Sequence, residues 1–580
     1  MAGIHSTPLG RLPMTRLVEG LRSQYRRVVP EGYSVSDLTT DLSAGLTVSV
    51  VALPLGLVVA IAAGASPDKG LVGIIIGGAV IALFTASRFQ IGGPTEACIL
   101  IAVVVIELFG YEGLLAATLM AGVFLVGMAI SRVGILIEAM PQAVITGFVT
   151  GMGVIIFTGQ IVPFFGLASS VHTHDHSGAE HSHSFLFIME GVMSRVGNFD
   201  MTTFLVGAAS LAAVFVTKRY LPRLPAYVMG LLVGALATFA LRLDVATIGS
   251  TFGELPNRLP LPLIPSLENW VPLLPYAVAI AFLSSAESLL AAQMASRSRG
   301  VPSHPNQEFT ALGLGNIATA VWGGFPVGGC VARTATCLAS GARSPLAGFF
   351  HAIFVALFVL FFSWALEYIP LTSLAAVLLI VAGRMVEVHR MRVIWRAPIG
   401  DRIILLGTLG TTLFWDLRFV LPVGLALASV IFIQRVSGIF EVRRGDAALF
   451  DSDELVPPRP LPFEMPDGVQ MFTFRGALFY GTVSSLSDLL ARAADERPAC
   501  VFGMRNVYFI DPTACLLLKD LARALGRSGT ECYFWGIQPE VAAVMHATDF
   551  KPEEGIHFFP DAAGAVEAAS ARAAEVGHSG

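Results

Sequence analysis

Two glycine-rich stretches, Gly92-Gly93-Pro94-Thr95 and Gly328-Gly329-Cys330, stand out for the chemistry their backbone can do. Each opens a short apolar segment in place of a continuous apolar run, so both read as half-helices that start inside a membrane. Irregular backbone at that depth is tolerated only where it is buried in protein or lines a cavity. A helix N-terminus offers unpaired N–H groups and about half a unit of positive charge, so an anion is the natural ligand. The candidate binding elements are therefore Gly93, Pro94, Thr95 and Glu96 on one side and Gly329, Cys330 and Val331 on the other. Backbone N–H groups near Thr95, Glu96, Cys330 and Val331 are the expected direct ligands, with the glycines allowing close approach.

Three charged residues belong to the same reading. Arg333 lies inside the second apolar segment, where an arginine at the bilayer centre costs at least about 2.5 to 3.5 kcal/mol. It must face protein, water or a partner, which makes it either an attractive charge for the anion or a structural pair with Glu287. Glu287 sits mid-span, and a carboxylate balanced between desolvation and a neighbouring cation can exchange protons in a useful range. Glu96, when ionised, would repel an anion while favouring the helix dipole; protonated, it can donate a hydrogen bond. Glu287 and Glu96 are thus the proton-coupling candidates, against a plainer reading in which Glu96 turns away into a polar contact. No cofactor is implied.

His172, His174, His176, His181 and His183 crowd one loop beside Asp175 and Glu180. Such tracts can hold zinc or copper weakly, but a flexible, solvated insertion is the favoured reading, and no firm metal site is assigned. The six cysteines show no metal-ligand spacing and read as reduced thiols.

The elements that must position these groups are membrane helices. Of the 580 residues 54% are hydrophobic and 14% charged, and residues 41–436 hold only 39 of the charged side chains, which marks a membrane body flanked by soluble segments. A single soluble globule and a secreted disulfide scaffold are excluded, and a net charge of −5 without a long basic run excludes a nucleic-acid binder. A crossing helix needs about 20 apolar residues. Spans are expected near 41–63, 70–87, 94–109, 113–131, 141–165, 202–217, 225–241, 271–295, 307–323, 330–338, 345–363, 371–384, 401–415 and 417–436. Lys and Arg cluster in alternate connections, which places both termini in the cytoplasm and the loops near 166–200 and 242–270 outside. The cationic, apolar stretch 384–396 reads as a membrane-surface helix.

The half-helices are the third and tenth of fourteen spans, hence each third in a set of seven. An odd repeat inverts the second half, the geometry of inverted-repeat secondary transporters. The expected fold is therefore an α-helical polytopic membrane protein, a fourteen-span seven-plus-seven inverted repeat with two half-helices, plus a small cytoplasmic α/β domain. Alternation of strand-like runs (471–481, 500–505, 532–537) with helix-like runs (484–495, 512–525, 539–546) supports that last part. The domains are a cytoplasmic segment 1–40, a transport domain 41–436, a linker 437–465 and the α/β domain 466–576. No Walker loop, Ser-His-Asp order, HExxH or dinucleotide fingerprint occurs in a credible context, so neither ATP-driven transport nor enzymatic catalysis is expected.

In order along the chain, several segments resemble the SulP family, also called solute carrier family 26. They are 41–48 (Asp-Leu-Ser-Ala-Gly-Leu-Thr-Val), 87–95 (Ser-Arg-Phe-Gln-Ile-Gly-Gly-Pro-Thr) and 286–290 (Ala-Glu-Ser-Leu-Leu). The series continues with 306–308 (Asn-Gln-Glu), 323–326 (Gly-Gly-Phe-Pro), 332–335 (Ala-Arg-Thr-Ala) and 340–348 (Ser-Gly-Ala-Arg-Ser-Pro-Leu-Ala-Gly). The resemblance implies an anion transporter with a core domain that moves against a gate domain, frequent dimerisation, and a STAS domain whose cytoplasmic partner is unknown. It also supports Arg333 as the anion's charge and Glu287 as a functional acid.

Departures from the family pattern bear on the substrate. Glu96 stands where a small residue is usual, Leu55 where many relatives have Gln, and Ala291 where the sodium-dependent bicarbonate branch has a hydroxyl residue. Residues 245–250 (Val-Ala-Thr-Ile-Gly-Ser) resemble bacterial members handling C4-dicarboxylates or sulfate. The resemblance thus implies a proton-coupled, elevator-like secondary transporter of the bacterial inner membrane for one of those anions. A bicarbonate transporter, an uncoupled anion channel, a nucleobase carrier of similar fold and a non-transporting STAS-based scaffold or sensor are the alternatives. In the STAS segment Asp511 is followed by Pro512, where related soluble STAS proteins carry a phosphorylated Ser, so a structural or docking role is expected instead.

Overall fold

The computed structural model describes residues 33–85, 87–131, 141–167, 185–221, 224–256, 258–268, 270–299, 304–415, 417–444, 468–482 and 498–577. The tract with His172, His174, His176, His181 and His183, and the helix-like run 484–495, lie outside the described residues. The chain forms two compact units, Met1–Leu427 and Ala428–Gly580.

In the first unit the apolar runs satisfy their backbone polar groups within helices, as hydrocarbon requires. In chain order these are α1 (Val35–Ala62), α2 (Pro67–Phe84), strand β1 (Gly92–Pro94), α3 (Ile99–Ile130), α4 (Gln142–Gly159), α5 (Phe185–Arg195), α6 (Met201–Tyr220) and α7 (Ala226–Leu241). There follow α8 (Ile248–Phe252), α9 (Trp270–Arg299), α10 (Pro305–Val321), strand β2 (Val327–Gly329), α11 (Val331–Ala339) and α12 (Leu346–Leu366). The unit closes with α13 (Leu371–Met385), α14 (Val388–Trp395), α15 (Ile399–Phe414) and the start of α16 (Leu417–Ile439). Among the described residues, nine helices are long and apolar enough to cross a membrane by length and composition.

Helix bounds differ from the sequence expectation at two places in the first half of the chain. Helix α1 starts at Val35, six residues early, because Ser34 and Asp37 form a capping box that a hydropathy reading does not register. The expected spans 94–109 and 113–131 are one assigned helix, α3, broken at Gly110 (φ 72°, ψ 178°). Only glycine adopts that backbone without strain.

The helices sort into two packing groups. One contains α1, α2, α3, α9, α10, α11 and α12; the other contains α4, α6, α7, α13 and α15, and α1 also touches α7 and α13. With lipid tails as apolar as leucine, helices in a membrane associate through close backbone approach at small residues. Gly122 of α3 and Gly313 of α10 show this: a Cβ on either would stand 2.7 Å from the other's carbonyl oxygen.

The second unit carries a five-stranded sheet in the order β3 (Glu441–Arg444), β4 (Val469–Leu478), β5 (Ala499–Ile510), β6 (Glu531–Trp535) and β7 (Ile556–Phe559). Strand β3 is antiparallel to β4 and the remaining pairs are parallel. Strand alternation puts Phe472, Phe474, Phe502 and Phe534 on one face, as neighbouring stacked rings 5.0–5.8 Å apart. Helix α17 (Pro512–Arg527) covers that face with Cys515, Leu518, Leu521, Ala522 and Leu525, while α18 (Pro539–Ala547) adds Val541 and Met545. The opposite face, with Val501, Tyr533 and Trp535, packs on Ala562, Ala565 and Ala569 of α19 (Ala562–Gly577). Asp511 has a structural job: it caps α17 through the Ala514 amide at 2.7 Å and also accepts from the Tyr480 amide at 2.9 Å. Pro512 then occupies the first helical turn, where a missing N–H costs nothing.

Two predictions follow from this packing. Gly122→Leu forces α3 off α10, at a cost of about 1–3 kcal/mol, and is expected to lower the thermal unfolding midpoint of the detergent-solubilised protein. All six cysteines are free and buried, and burial also pushes the Cys515 and Cys532 thiols up. A membrane-impermeant maleimide is therefore expected to label the native protein only in traces and the SDS-denatured protein fully, as counted by intact-mass spectrometry.

Candidate functional site

The two glycine-rich stretches meet. Strands β1 and β2 pair antiparallel with Gly92 opposite Gly329, Gly93 opposite Gly328 and Pro94 opposite Val327, so each half-helix springs from one strand of a common ribbon. Side chains from three helices fix that ribbon. Asn316 of α10 clamps Val327, donating to its carbonyl at 2.8 Å and accepting from its amide at 3.0 Å. Thr334 Oγ1 of α11 accepts from the Ile91 amide at 3.1 Å. Gln90 Nε2 donates to Ser288 Oγ, and Thr95 Oγ1 donates to Glu287 Oε2, both on α9.

The ribbon engages two of the four expected donor amides. The Cys330 amide donates to the Ile91 carbonyl at 3.0 Å and the Thr95 amide to that of Pro326 at 3.4 Å, so both are consumed within protein. The Glu96 amide takes no part in these bonds, and further donors lie in the first turn of α11, since Thr334 is the first residue there to bond back, to Cys330 at 2.9 Å. The amides of Val331 and Ala332 precede it and have no partner within the helix, whereas the Arg333 amide meets the Cys330 side chain. Val331 is 39% exposed against 5% for Cys330, so one edge of the half-helix faces open space.

Arg333 is fully buried. Its Nη2 donates to the Pro94 carbonyl at 2.7 Å, across the ribbon, while Nε and Nη1 have no hydrogen-bond partner. The structural pair with Glu287 is not formed: among the described residues no ion pair joins them, and Glu287 is engaged by Thr95 instead. Glu96 and Glu287 nevertheless both lie in the field of the Arg333 charge and of one another. A cavity of about 20 Å³ borders Glu287, walled by Ala97, Phe282 and Ala286 of one helix group and Val144, Phe148 and Val149 of the other. Such a volume is enough for a single water.

The structure therefore brings Gly93, Pro94, Thr95, Glu96, Glu287, Gly329, Cys330, Val331 and Arg333 into one place. Sequence reasoning did not single out Asn316, Gln90, Ser288 or Thr334. Gln90, Ser288 and Thr334 sit within the family-like segments, and Asn316 is the one side-chain amide in the apolar run 309–321 of α10, which is itself a signal. Two further segments are tied by buried Asp41 of α1, which accepts from the Arg343 amide at 2.6 Å, the Ser344 amide at 3.2 Å and the Ser344 hydroxyl at 2.5 Å. That carboxylate holds the chain just after α11.

A Cβ on Gly93 would collide with Arg333 Nη1. Gly93→Ala is therefore expected to displace the guanidinium and weaken anion binding, read by isothermal calorimetry, by about the tenfold or more that losing a charge-assisted hydrogen bond implies. Unaltered affinity would show that Arg333 does not bind from this position.

Residues 38–408 match the Sulfate permease family and residues 461–565 the STAS domain. The chain is 34% identical over 534 residues to "Putative sulfate transporter YvdB" of Bacillus subtilis, covering 91% of this chain and 97% of that protein. It is 24% identical over 512 residues to "Bicarbonate transporter BicA" of Synechocystis, covering 86% and 88%. In fold it is similar to the murine Solute Carrier 26 family member A9 anion transporter, with a TM-score of 0.84 at 16% identity over 98% of this chain and 96% of that one. The transmembrane domain of a cyanobacterium bicarbonate transporter BicA gives a TM-score of 0.58 at 23% identity over 70% of this chain and all of that one. With a family match over well over half its length and a relative of this identity along nearly its whole length, the chain belongs to the sulfate permease family.

Proposed function

We propose that this chain is a secondary transporter, not an enzyme, that carries a small anion, sulfate before a C4-dicarboxylate, coupled to protons. The observation that carries the reading is Arg333: a fully buried guanidinium with two unpartnered nitrogens, at the start of a half-helix whose Val331 and Ala332 amides have no partner within the helix. A buried cation left in that state has a ligand's place beside it. Sulfate ranks first because a relative 34% identical along nearly the whole chain bears a sulfate transporter's name.

Charge counting supports the proton. Arg333, Glu96 and Glu287 together carry −1 when both acids are ionised, which opposes an arriving anion. One proton makes the site neutral, and a second favours the anion. The Thr95 hydroxyl on Glu287 gives that carboxylate a neighbour that remains an acceptor when the acid is protonated. Movement is read as elevator-like, with the helix group that holds the site (α1–α3 and α9–α12) sliding against the other. The two groups meet through apolar walls such as that beside Glu287, which can slide without breaking polar bonds.

In this reading both termini are cytoplasmic, because the Arg- and Lys-bearing connections stay inside. The protein works in a bacterial inner membrane as a homodimer, with domains 1–40, 41–436 and 466–576 and a connecting segment 437–465 that lends strand β3 to the sheet, and the STAS domain docks a partner.

The test is uptake of labelled sulfate, succinate and bicarbonate into proteoliposomes with and without an inward proton gradient. Sulfate is expected to enter and the gradient to accelerate it. Arg333→Ala is expected to raise KM by roughly 10- to 100-fold, the equivalent of about 1.5–3 kcal/mol for a hydrogen bond to a charged group. Glu287→Gln and Glu96→Gln are expected to abolish the acceleration by the gradient. Gradient-driven uptake that is the same in both variants would overturn proton coupling through these acids.

A further inference from the structure

Away from Arg333, the second helix group brings two more cations onto one aromatic ring. Lys218, in the last turn of α6, places Nζ 5.0 Å from the ring centroid of Tyr227, at the start of α7. Arg384, in the last turn of α13, places its guanidinium carbon 5.8 Å from the same centroid. Tyr227 is buried, Lys218 is half-buried and Arg384 is exposed. Each cation lies in the other's field, and among the described residues neither has an ion-pair partner. The acid nearest in sequence, Glu387, is held by Arg390 at 2.8 Å.

Helix dipoles favour a cation in each last turn, and the ring face attracts each of them. Neither effect neutralises the charges, whose potentials add and which repel each other. An anion between them would. The cluster's surroundings indicate which anion: the Arg384 charge reaches Glu96, and Tyr227 lies in the fields of Glu96 and Cys330. Lys218, Tyr227 and Arg384 all belong to the helix group that does not carry Arg333.

We infer that Lys218, Arg384 and the Tyr227 ring form a second anion station, which receives the transported oxyanion from the Arg333 site or delivers it there. This rests on the anion-transport reading, but its test does not depend on transport. Two stations on opposite helix groups let the anion pass between them as the groups move, with no step at which it is left without a counter-charge.

The test uses Gly383→Cys in the full-length protein. Gly383 neighbours Arg384, is exposed, and a Cβ there meets nothing within 4 Å, so the new thiol reports the local potential. In phosphatidylcholine nanodiscs, the thiol is reacted with the anionic sulfonatoethyl and the cationic trimethylammonioethyl methanethiosulfonates, with the unmodified chain as background. The anionic reagent is expected to be favoured about five- to tenfold over its ratio at a free thiol, given two unit charges at partly screened distances. Lys218→Gln and Arg384→Gln should each reduce that preference and together abolish it, whereas Arg384→Lys should preserve it. Millimolar sulfate should slow the anionic reagent, and only while the cations are present.

An equal preference in the double Gln variant, or no protection by sulfate, overturns the station. So does protection by added phosphatidylglycerol but not by sulfate, which would assign the cluster to lipid headgroups. Should the potential and sulfate protection hold while no anion is taken up, the transport reading fails and the station stands. Uptake without either would fail the station alone.

Discussion

Every feature of the site depends on one constraint: backbone that leaves helical geometry inside a membrane must find its hydrogen bonds elsewhere in the protein. The glycine-rich stretches solve this by bonding to each other. The β1–β2 ribbon is only three residues a side, yet it spends the amides of Thr95 and Cys330, leaves those of Val331 and Ala332 outside its bonds, and fixes where both half-helices begin. Glycine is needed because the strand must pass directly under the Arg333 guanidinium, leaving no room for a side chain at residue 93.

Arg333 completes that arrangement and gives it a sign. By donating to Pro94 of the opposite strand it ties the two halves of the chain together with one nitrogen and keeps two available. A guanidinium suits this because its five donors lie in a rigid fork, so that bracing the fold and holding an anion need not compete. An ammonium in its place would have neither the reach nor the geometry. Glu287 follows the same economy, since its bond to Thr95 holds the carboxylate near the guanidinium without pairing with it.

The supporting shell is built from residues far apart in the chain. Asp41 holds the turn after α11 from 302 residues away, and buried Glu308 accepts from Thr85 across 223. Several of the family-like segments are thus two ends of buried polar contacts. A buried polar group left without its partner costs about 1–3 kcal/mol, which explains why such segments carry Asp, Ser, Glu and Thr in an otherwise apolar body.

Local sequence alone made most of the elements legible. A helix satisfies its own backbone within four residues, so an apolar run of the right length declares it, and Gly-Gly-Pro and Gly-Gly-Cys declare where helices start late. Charge type and apolar context were enough to pick out Arg333, Glu287 and Glu96. The pairings were not legible, because Thr95 to Glu287 spans 192 residues and Arg333 to Pro94 spans 239, and no local period encodes such a contact. For the same reason β3, a four-residue run Glu-Val-Arg-Arg without an apolar pattern, shows itself as a strand only beside β4, and Lys218 and Arg384 look like ordinary loop-side cations until Tyr227 brings them together. Sequence by itself determined which segments are helical and which charges lie among them. Tertiary structure decided which of those charges meet and which remain unpaired, because hydrogen bonding along a helix is local while electrostatic complementarity depends on the folded geometry.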